Sequence, residues 1–89
     1  MKEVYIYNEE LENGDILDIK MYAIERSKDN PEGLHYSLVC IRNGKRIIGY
    51  DNHQKHGHHK HIGNKTIPYD FEDEWQLLSD FMKDVEKLK

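Results

Sequence analysis

The chain has few of the residues that covalent cross-links or a membrane-bound architecture require. A single cysteine, Cys40, excludes an internal disulfide, and its apolar neighbours in LVCI predict a buried, reduced thiol. No apolar run is long enough to cross a bilayer, and no basic segment followed by an apolar one opens the sequence. We therefore expect a cytoplasmic protein with no membrane partner.

The composition predicts one small folded domain. Of the 89 residues, 37% are hydrophobic and 34% are charged, which is too apolar for a disordered chain. A chain of this length supports a single thin core. We predict one domain spanning residues 1–89.

The charge of the chain is concentrated in segments of opposite sign. The net charge of −4 divides into −5 over residues 1–40, +4 over residues 41–70 and −3 over residues 71–89. An anionic partner would most favourably bind the basic band, residues 41–70. The alternative is that this band is a solvated surface whose lysines serve solubility.

A β-hairpin is the strongest local prediction. The β-rich runs LHYSLVCIR and KRIIGYDN flank Asn43-Gly44, a pair typical of a two-residue type I′ turn. Counting outward from this turn places Ile41 opposite Arg46, then Ser37 opposite Tyr50 and His35 opposite Asn52. A bulge would change that register.

The remaining segments indicate an α+β domain. Further strands are predicted at VYIY, at residues 15–26 and, as a short element, at HKHIG, while IPYDF is an extended entry to a helix. The helix is predicted to begin at Asp73, which with Gln76 three residues later resembles a capping box. Its apolar stripe consists of Trp75, Leu78, Phe81 or Met82, Val85 and Leu88. We expect an antiparallel sheet of three to five strands with this C-terminal α-helix packed on one face.

Five of the six histidines lie in YDNHQKHGHHKH, residues 50–61. In an extended segment, His59 and His61 lie on one face and Lys60 on the other. Two such imidazoles could bind Zn²⁺ or Ni²⁺, although the chain has no HExxH motif and no second cysteine. The third or fourth metal ligand would come from His56, His58 or Asp51.

Acid/base chemistry is the second interpretation of the cluster. Cleavage of RNA by its 2′-hydroxyl needs a base, an acid and a cation near the phosphate, and histidine serves as base or acid near neutral pH. His59 and His61 could divide these roles, with Asp51 or Asn52 orienting an imidazole. The candidate phosphate contacts are Lys60, Lys55, Arg42 and Arg46.

A third interpretation assigns no chemistry to most of the cluster. Exposed histidines in a polar loop are common, and this applies to His53, His56 and His58. Asp51 and Asn52 would then form a turn. A non-catalytic binding module that uses the basic loop is the corresponding functional alternative.

The order of several motifs resembles the TumE family of toxins from toxin–antitoxin modules. Its Y-D-N, H-[RK]-H, P-Y-x-F and D-F-x-x-D-V elements match in order over Leu34 to Val85. The sequence departs from the family at His53, where glutamate is commoner, and at His58, where an acid is commoner. The matching residues are Tyr50, Asp51 and Asn52; His59, Lys60 and His61; Pro68, Tyr69 and Phe71; and Asp80, Phe81, Asp84 and Val85.

The resemblance implies a toxin encoded beside a helix-turn-helix antitoxin that silences it. From the residues, we predict action on RNA without a cofactor, with zinc as the alternative. His59 and His61 would be the acid/base pair, and Asp51 and Asn52 would orient them. Substrate would contact Lys60, Arg46, Arg42 and Tyr50, with His35 a further candidate. Open sheet edges make a homodimer plausible.

Overall fold

A computed structural model describes residues 2–52 and 57–89 of the chain. In these ranges the chain forms one antiparallel sheet in the order β1-β2-β3-β4-β5-β6, followed by one helix. The strands are β1 (Lys2–Glu10), β2 (Ile16–Ala23), β3 (Leu34–Arg42), β4 (Lys45–Asp51), β5 (His59–Ile62) and β6 (Lys65–Pro68), and the helix is α1 (Glu74–Lys87).

The architecture is α+β, as the sequence predicts, but the predicted number of strands is wrong. The described residues form six strands rather than three to five. The difference arises at β6, because residues 65–68 pair with β5 instead of serving only as an extended entry to the helix. No helix in the described ranges is long and apolar enough to cross a membrane.

The helix covers one face of the sheet, which we call the helix face; the other is the open face. Alternate residues of β2, β3 and β4 point toward the helix, as expected from the two-residue period of a strand. Cys40 is buried there, as predicted, and burial raises the pKa of its thiol. The core consists of Leu17, Ile19, Met21, Leu34, Tyr36, Leu38, Cys40, Ile48, Tyr50, Leu77, Phe81 and Val85.

The β3–β4 hairpin forms at the predicted turn with a partly different register. Asn43 and Gly44 have φ angles of 52° and 77°, the positive values that a type I′ turn requires. Ile41 pairs with Arg46 as predicted, but an extra residue, Ile47, then forms a bulge.

The bulge makes the predicted pairs beyond Ile41 and Arg46 wrong. Ser37 pairs with Asp51, not with Tyr50, and Tyr50 pairs with Leu38. His35 therefore does not lie directly opposite Asn52. The shift of one residue brings Tyr50 into the core and places the Asp51 side chain on the open face.

The helix begins where predicted, and its buried stripe includes the predicted Phe81 and Val85 but not Trp75. The Asp73 carboxylate accepts a hydrogen bond from the Gln76 backbone amide at 2.8 Å, whereas the Gln76 side chain donates to Asp80 instead of returning to the cap. Trp75 is 75% exposed, so its predicted place in the core is wrong. The stripe that faces the sheet has a spacing of four residues and consists of Leu77, Phe81 and Val85.

Candidate functional site

Strand β5 delivers two imidazoles to the open face of the sheet. Its four residues alternate, so His59 and His61 share one face while Lys60 lies on the helix face. Pairing with β4 places His59 beside Asp51 and His61 beside Gly49. The β4–β5 register therefore places a carboxylate on the same face as both histidines.

Asp51, His59 and His61 form a compact cluster, which we call the Asp51 cluster. His59 Nε2 lies 3.0 Å from Asp51 Oδ1, and His61 Nε2 lies 3.5 Å from Asp51 Oδ2. The ring centroids are 4.9 Å apart and the ring planes make an angle of 87°. Each side chain is 16–19% exposed, so the cluster is sheltered but open to a ligand.

The other nitrogen of each imidazole also has a partner. His59 Nδ1 lies 3.2 Å from the Gly57 carbonyl oxygen, and His61 Nδ1 lies 3.2 Å from Thr66 Oγ1. A carbonyl and a carboxylate only accept hydrogen bonds, so each ring nitrogen of His59 faces a hydrogen-bond acceptor.

Arg46 brings a positive charge to the same face. A Cβ atom at Gly49 would lie 2.8 Å from Arg46 Cδ, so the arginine side chain crosses the strand where Gly49 has no side chain. Burial, and next the charge of Arg46, lower the pKa of His61, although Asp51 opposes them. His61 is therefore biased toward its neutral, proton-accepting form.

An open pocket adjoins the cluster. It has a volume of about 380 Å³ and is lined by His58, His59, Thr66 and Pro68. The imidazole of His59 and a residue that contacts His61 thus border a space large enough for a nucleotide-sized group.

Two predicted substrate contacts, Lys60 and Tyr50, lie on the helix face. Lys60 Nζ lies 3.3 Å from Asp84 Oδ2 and 5.5 Å from the centroid of the Tyr50 ring. The Tyr50 hydroxyl donates to the same Asp84 carboxylate, and burial raises the pKa of Tyr50. Neighbouring Tyr69 donates to Asp80 at 2.6 Å. These residues fasten the helix to the sheet and lie apart from the Asp51 cluster.

Asn52 and Arg42 also make structural contacts. Asn52 is buried, where its side-chain oxygen accepts from the Tyr36 amide at 3.0 Å and its nitrogen donates to the Leu34 carbonyl at 2.6 Å. It thereby holds the end of β4 against β3, directly after Asp51. Arg42 lies at the turn end of the hairpin and forms a two-pronged ion pair with Asp15 at 2.8 and 2.9 Å.

His58 makes contacts that the sequence analysis missed. The sequence favours an idle, exposed side chain, and this is wrong: His58 Nε2 lies 2.8 Å from Glu32 and Nδ1 lies 2.8 Å from the Tyr36 hydroxyl. Its ring also stacks on Phe71. His58 therefore anchors the start of β5, immediately before His59. No local pattern reveals these partners, since they are distant in the sequence. His53, Lys55 and His56 lie outside the described residues.

The Asp51 cluster also has donors suited to a metal ion. One ligand atom from each of Asp51, His59 and His61 lies within 4.8 Å of the others. Two imidazole nitrogens and a carboxylate oxygen suit zinc and related metals, and the Nδ1 contacts resemble the outer hydrogen bonds of metal-bound histidines. The cluster is chemically able to transfer protons or to bind such an ion.

A comparison with protein-family models gives a match that covers nearly the whole chain. A family model described as Toxin TumE matches residues 3–89. No curated protein and no solved structure matches the chain. The match extends the resemblance seen in the motifs through the N-terminal strands.

Proposed function

The chain belongs to the TumE toxin family, and we propose that it acts on RNA through acid/base chemistry at the Asp51 cluster. Family membership implies a toxin and an antitoxin partner. The observation that carries the proposal is the placement of two imidazoles around one carboxylate on a face that also holds Arg46. We further propose an antitoxin of helix-turn-helix type, on the motif resemblance alone.

His61 is the proposed base. The lowered pKa of His61 favours a neutral ring that removes the proton of an RNA 2′-hydroxyl. The 2′-oxygen then forms a bond to phosphorus as the bond from phosphorus to the 5′-oxygen breaks. His59 donates a proton from Nε2 to the departing 5′-oxygen, so the products are a 2′,3′-cyclic phosphate and a 5′-hydroxyl.

The remaining groups of the cluster support this step. Asp51 orients both imidazoles. Arg46 is the proposed phosphate contact because its side chain lies on the open face beside Gly49. Asn52 positions Asp51 through the backbone of β3. The other predicted substrate contacts, Lys60, Arg42 and Tyr50, are engaged elsewhere and do not enter the proposal.

A metal-dependent reaction is the second candidate, since the same three side chains suit a zinc ion. The two candidates differ in measurable ways. If free imidazoles transfer the protons, a chelator leaves the activity unchanged. If the reaction depends on a metal ion, a chelator abolishes the activity and added metal restores it. A metal-dependent protein would also carry one equivalent of metal after purification from cells without an affinity tag that binds metal.

Growth arrest and RNA fragmentation test the proposal together. Wild-type protein and the variants His59→Ala, His61→Ala and Asp29→Ala are expressed from the same inducible promoter at matched levels. Asp29→Ala is the control, because it changes an exposed residue in the loop between β2 and β3 and leaves the three side chains of the Asp51 cluster in place. We expect arrest and new RNA fragments from the wild type and the control, and neither from the other two. Arrest by either cluster variant would contradict the assignment.

A further inference from the structure

The edge of the sheet farthest from β5 and β6 is exposed along a whole strand. All nine residues of β1 are exposed, and among the described residues β1 pairs with β2 alone. Its outer edge therefore presents unpaired backbone amides and carbonyls. Natural proteins usually shorten, charge or cover such an edge, because it is a template for another strand.

The middle of β1 carries apolar side chains that the fold leaves uncovered. Val4, Tyr5, Ile6 and Tyr7 are consecutive and are 39–47% exposed. They occupy both faces of the strand, so neither the helix nor the rest of the sheet covers them all. Four adjacent exposed residues of this size are typical of a binding surface.

Trp75 extends this surface onto the helix. The indole is 75% exposed and borders a largely apolar pocket of about 300 Å³ between β1 and the first turns of α1. Exposed tryptophan is unusual on a polar protein and common at the centre of binding sites. The pocket is lined by Val4, Tyr5, Met21, Glu74, Trp75 and Leu78.

The surroundings of this surface are acidic. Strand β1 has three glutamates, Glu3, Glu9 and Glu10, against one lysine, and Glu74 lines the pocket. A partner strand with apolar residues and several lysines or arginines would match both the apolar centre and the acidic rim. A second copy of this chain is a poor match, because it would bring the same acidic strand.

We propose that the β1 edge and the Trp75 pocket form the docking site for the antitoxin, which binds by adding an extended, basic and apolar segment to the sheet. Backbone hydrogen bonds to β1 would supply affinity, and an apolar side chain in the pocket would supply specificity. The inference rests on the family's toxin assignment and its implied antitoxin partner, not on the proposed RNA chemistry.

The position of this surface has a functional consequence. Three strands separate β1 from β5 in the sheet, so a segment paired with β1 does not itself cover the Asp51 cluster. Binding of the antitoxin can therefore be measured separately from loss of toxicity, including on a toxin variant that is catalytically inactive.

Binding of the antitoxin encoded beside the toxin gene tests the proposal. Purified wild-type toxin is compared by calorimetry with Ile6→Lys and Trp75→Ala, and with Ile67→Lys as the matched control. Ile67 is 36% exposed on β6, at the opposite edge of the sheet, so its variant places the same charge on the other edge. Urea unfolding of each variant confirms that it folds.

The expected result is at least a tenfold loss of affinity for Ile6→Lys and for Trp75→Ala, with Ile67→Lys like the wild type. In cells, toxins with Ile6→Lys or Trp75→Ala would then resist neutralisation by the antitoxin. Unchanged affinity in both, or an equal loss in Ile67→Lys, would overturn the proposal. A dimer of the toxin alone that Ile6→Lys converts to a monomer would also overturn it, in favour of a second copy.

Failure of the RNA proposal would leave these binding results unchanged. Calorimetry does not require an active toxin, so the variant His61→Ala should bind the antitoxin as tightly as the wild type does. Loss of binding in that variant would show instead that the antitoxin contacts the Asp51 cluster, and would overturn the assignment to β1.

Discussion

His59 Nε2 lies 3.0 Å from Asp51 Oδ1, across the β4–β5 pair. This contact exists because Asp51 pairs directly with His59, while the bulged residue in β4 sets the register that places Asp51 opposite Ser37 on the open face. A carboxylate that holds two imidazoles is an orienting group. The chemistry that we propose depends on this arrangement.

Replacing the carboxylate should weaken activity without unfolding the protein. Asp51→Asn keeps the shape of the side chain but replaces one of the two acceptor oxygens that orient the imidazoles with an amide nitrogen, which cannot accept a hydrogen bond. We expect kcat/KM on RNA to fall about 10- to 100-fold, the usual effect of losing such a partner. Asp18→Asn is the control, because Asp18 is a carboxylate of β2 that also lies on the open face of the sheet. An equal fall in both variants would argue against a specific role for Asp51.

The contact between Tyr50 and Asp84 should matter for stability and not for activity. Tyr50→Phe removes a part-buried hydrogen bond to a carboxylate. We expect the free energy of unfolding in urea to drop by about 1–2 kcal/mol, with RNA cleavage unchanged under conditions where the variant is folded. Tyr7→Phe, on the exposed β1, should leave the unfolding midpoint unchanged. Loss of cleavage by folded Tyr50→Phe protein would return Tyr50 to the substrate contacts.

The pKa of His61 should depend on Arg46. Burial lowers the pKa of His61 most; among the described residues, Arg46 and His59 also lower it and Asp51 raises it. Arg46→Gln removes a positive charge that disfavours the imidazolium, so the His61 pKa should rise. Titration of the ring protons by NMR measures the change.

The activity of the same variant follows from the sign of this shift. A base with a raised pKa is protonated over a wider acidic range, so the acidic limb of the pH–rate profile should move to higher pH. Gly49→Ala should act in the same direction, because a Cβ there displaces the Arg46 side chain. Arg26→Gln, far from β5 in the sequence, is the control. A His61 pKa that falls in Arg46→Gln would contradict the account.

The ion pair between Asp15 and Arg42 should make the stability of the folded protein depend on pH. The Arg42 guanidinium lowers the pKa of Asp15 in the folded state. The resulting stabilisation is present above the unfolded pKa of Asp15 and disappears as the pH falls through the lower, folded value. Asp15→Asn should therefore be less stable than the wild type near neutral pH.

The difference in stability between the wild type and Asp15→Asn should become smaller as the pH falls. Urea unfolding midpoints at several pH values, with exposed Asp29→Asn as the control, provide the measurement. If the two unfolding midpoints differ by the same amount at every acidic pH, ionisation of Asp15 does not contribute to the stability of the protein.

The parts of the fold that sequence could predict are those set by neighbouring residues. Asn43-Gly44 specifies its turn locally, and Asp73 specifies the helix start. The alternation of HKHI likewise predicts that His59 and His61 share a face. The bulge at Ile47 has no local signal, and it shifts the β3–β4 register so that Asp51 pairs with Ser37.

Long-range partners account for what the sequence could not predict at the site. Lys60 and Tyr50 were predicted to contact substrate, yet both meet Asp84 on the helix. Neighbouring residues of one motif point to opposite faces of the sheet, so motif membership does not distinguish structural from chemical roles. Trp75 matched a helical apolar stripe but lies beside β1, outside the face that the helix buries.

Cleavage of RNA by purified protein is the most direct test of the central claim. A labelled RNA is incubated with wild-type protein and with His61→Ala, each with and without EDTA, and the product ends are identified. The account predicts products with 2′,3′-cyclic phosphate ends from the wild type, unaffected by EDTA and absent with His61→Ala. Cleavage that EDTA abolishes, or that His61→Ala retains, would contradict it.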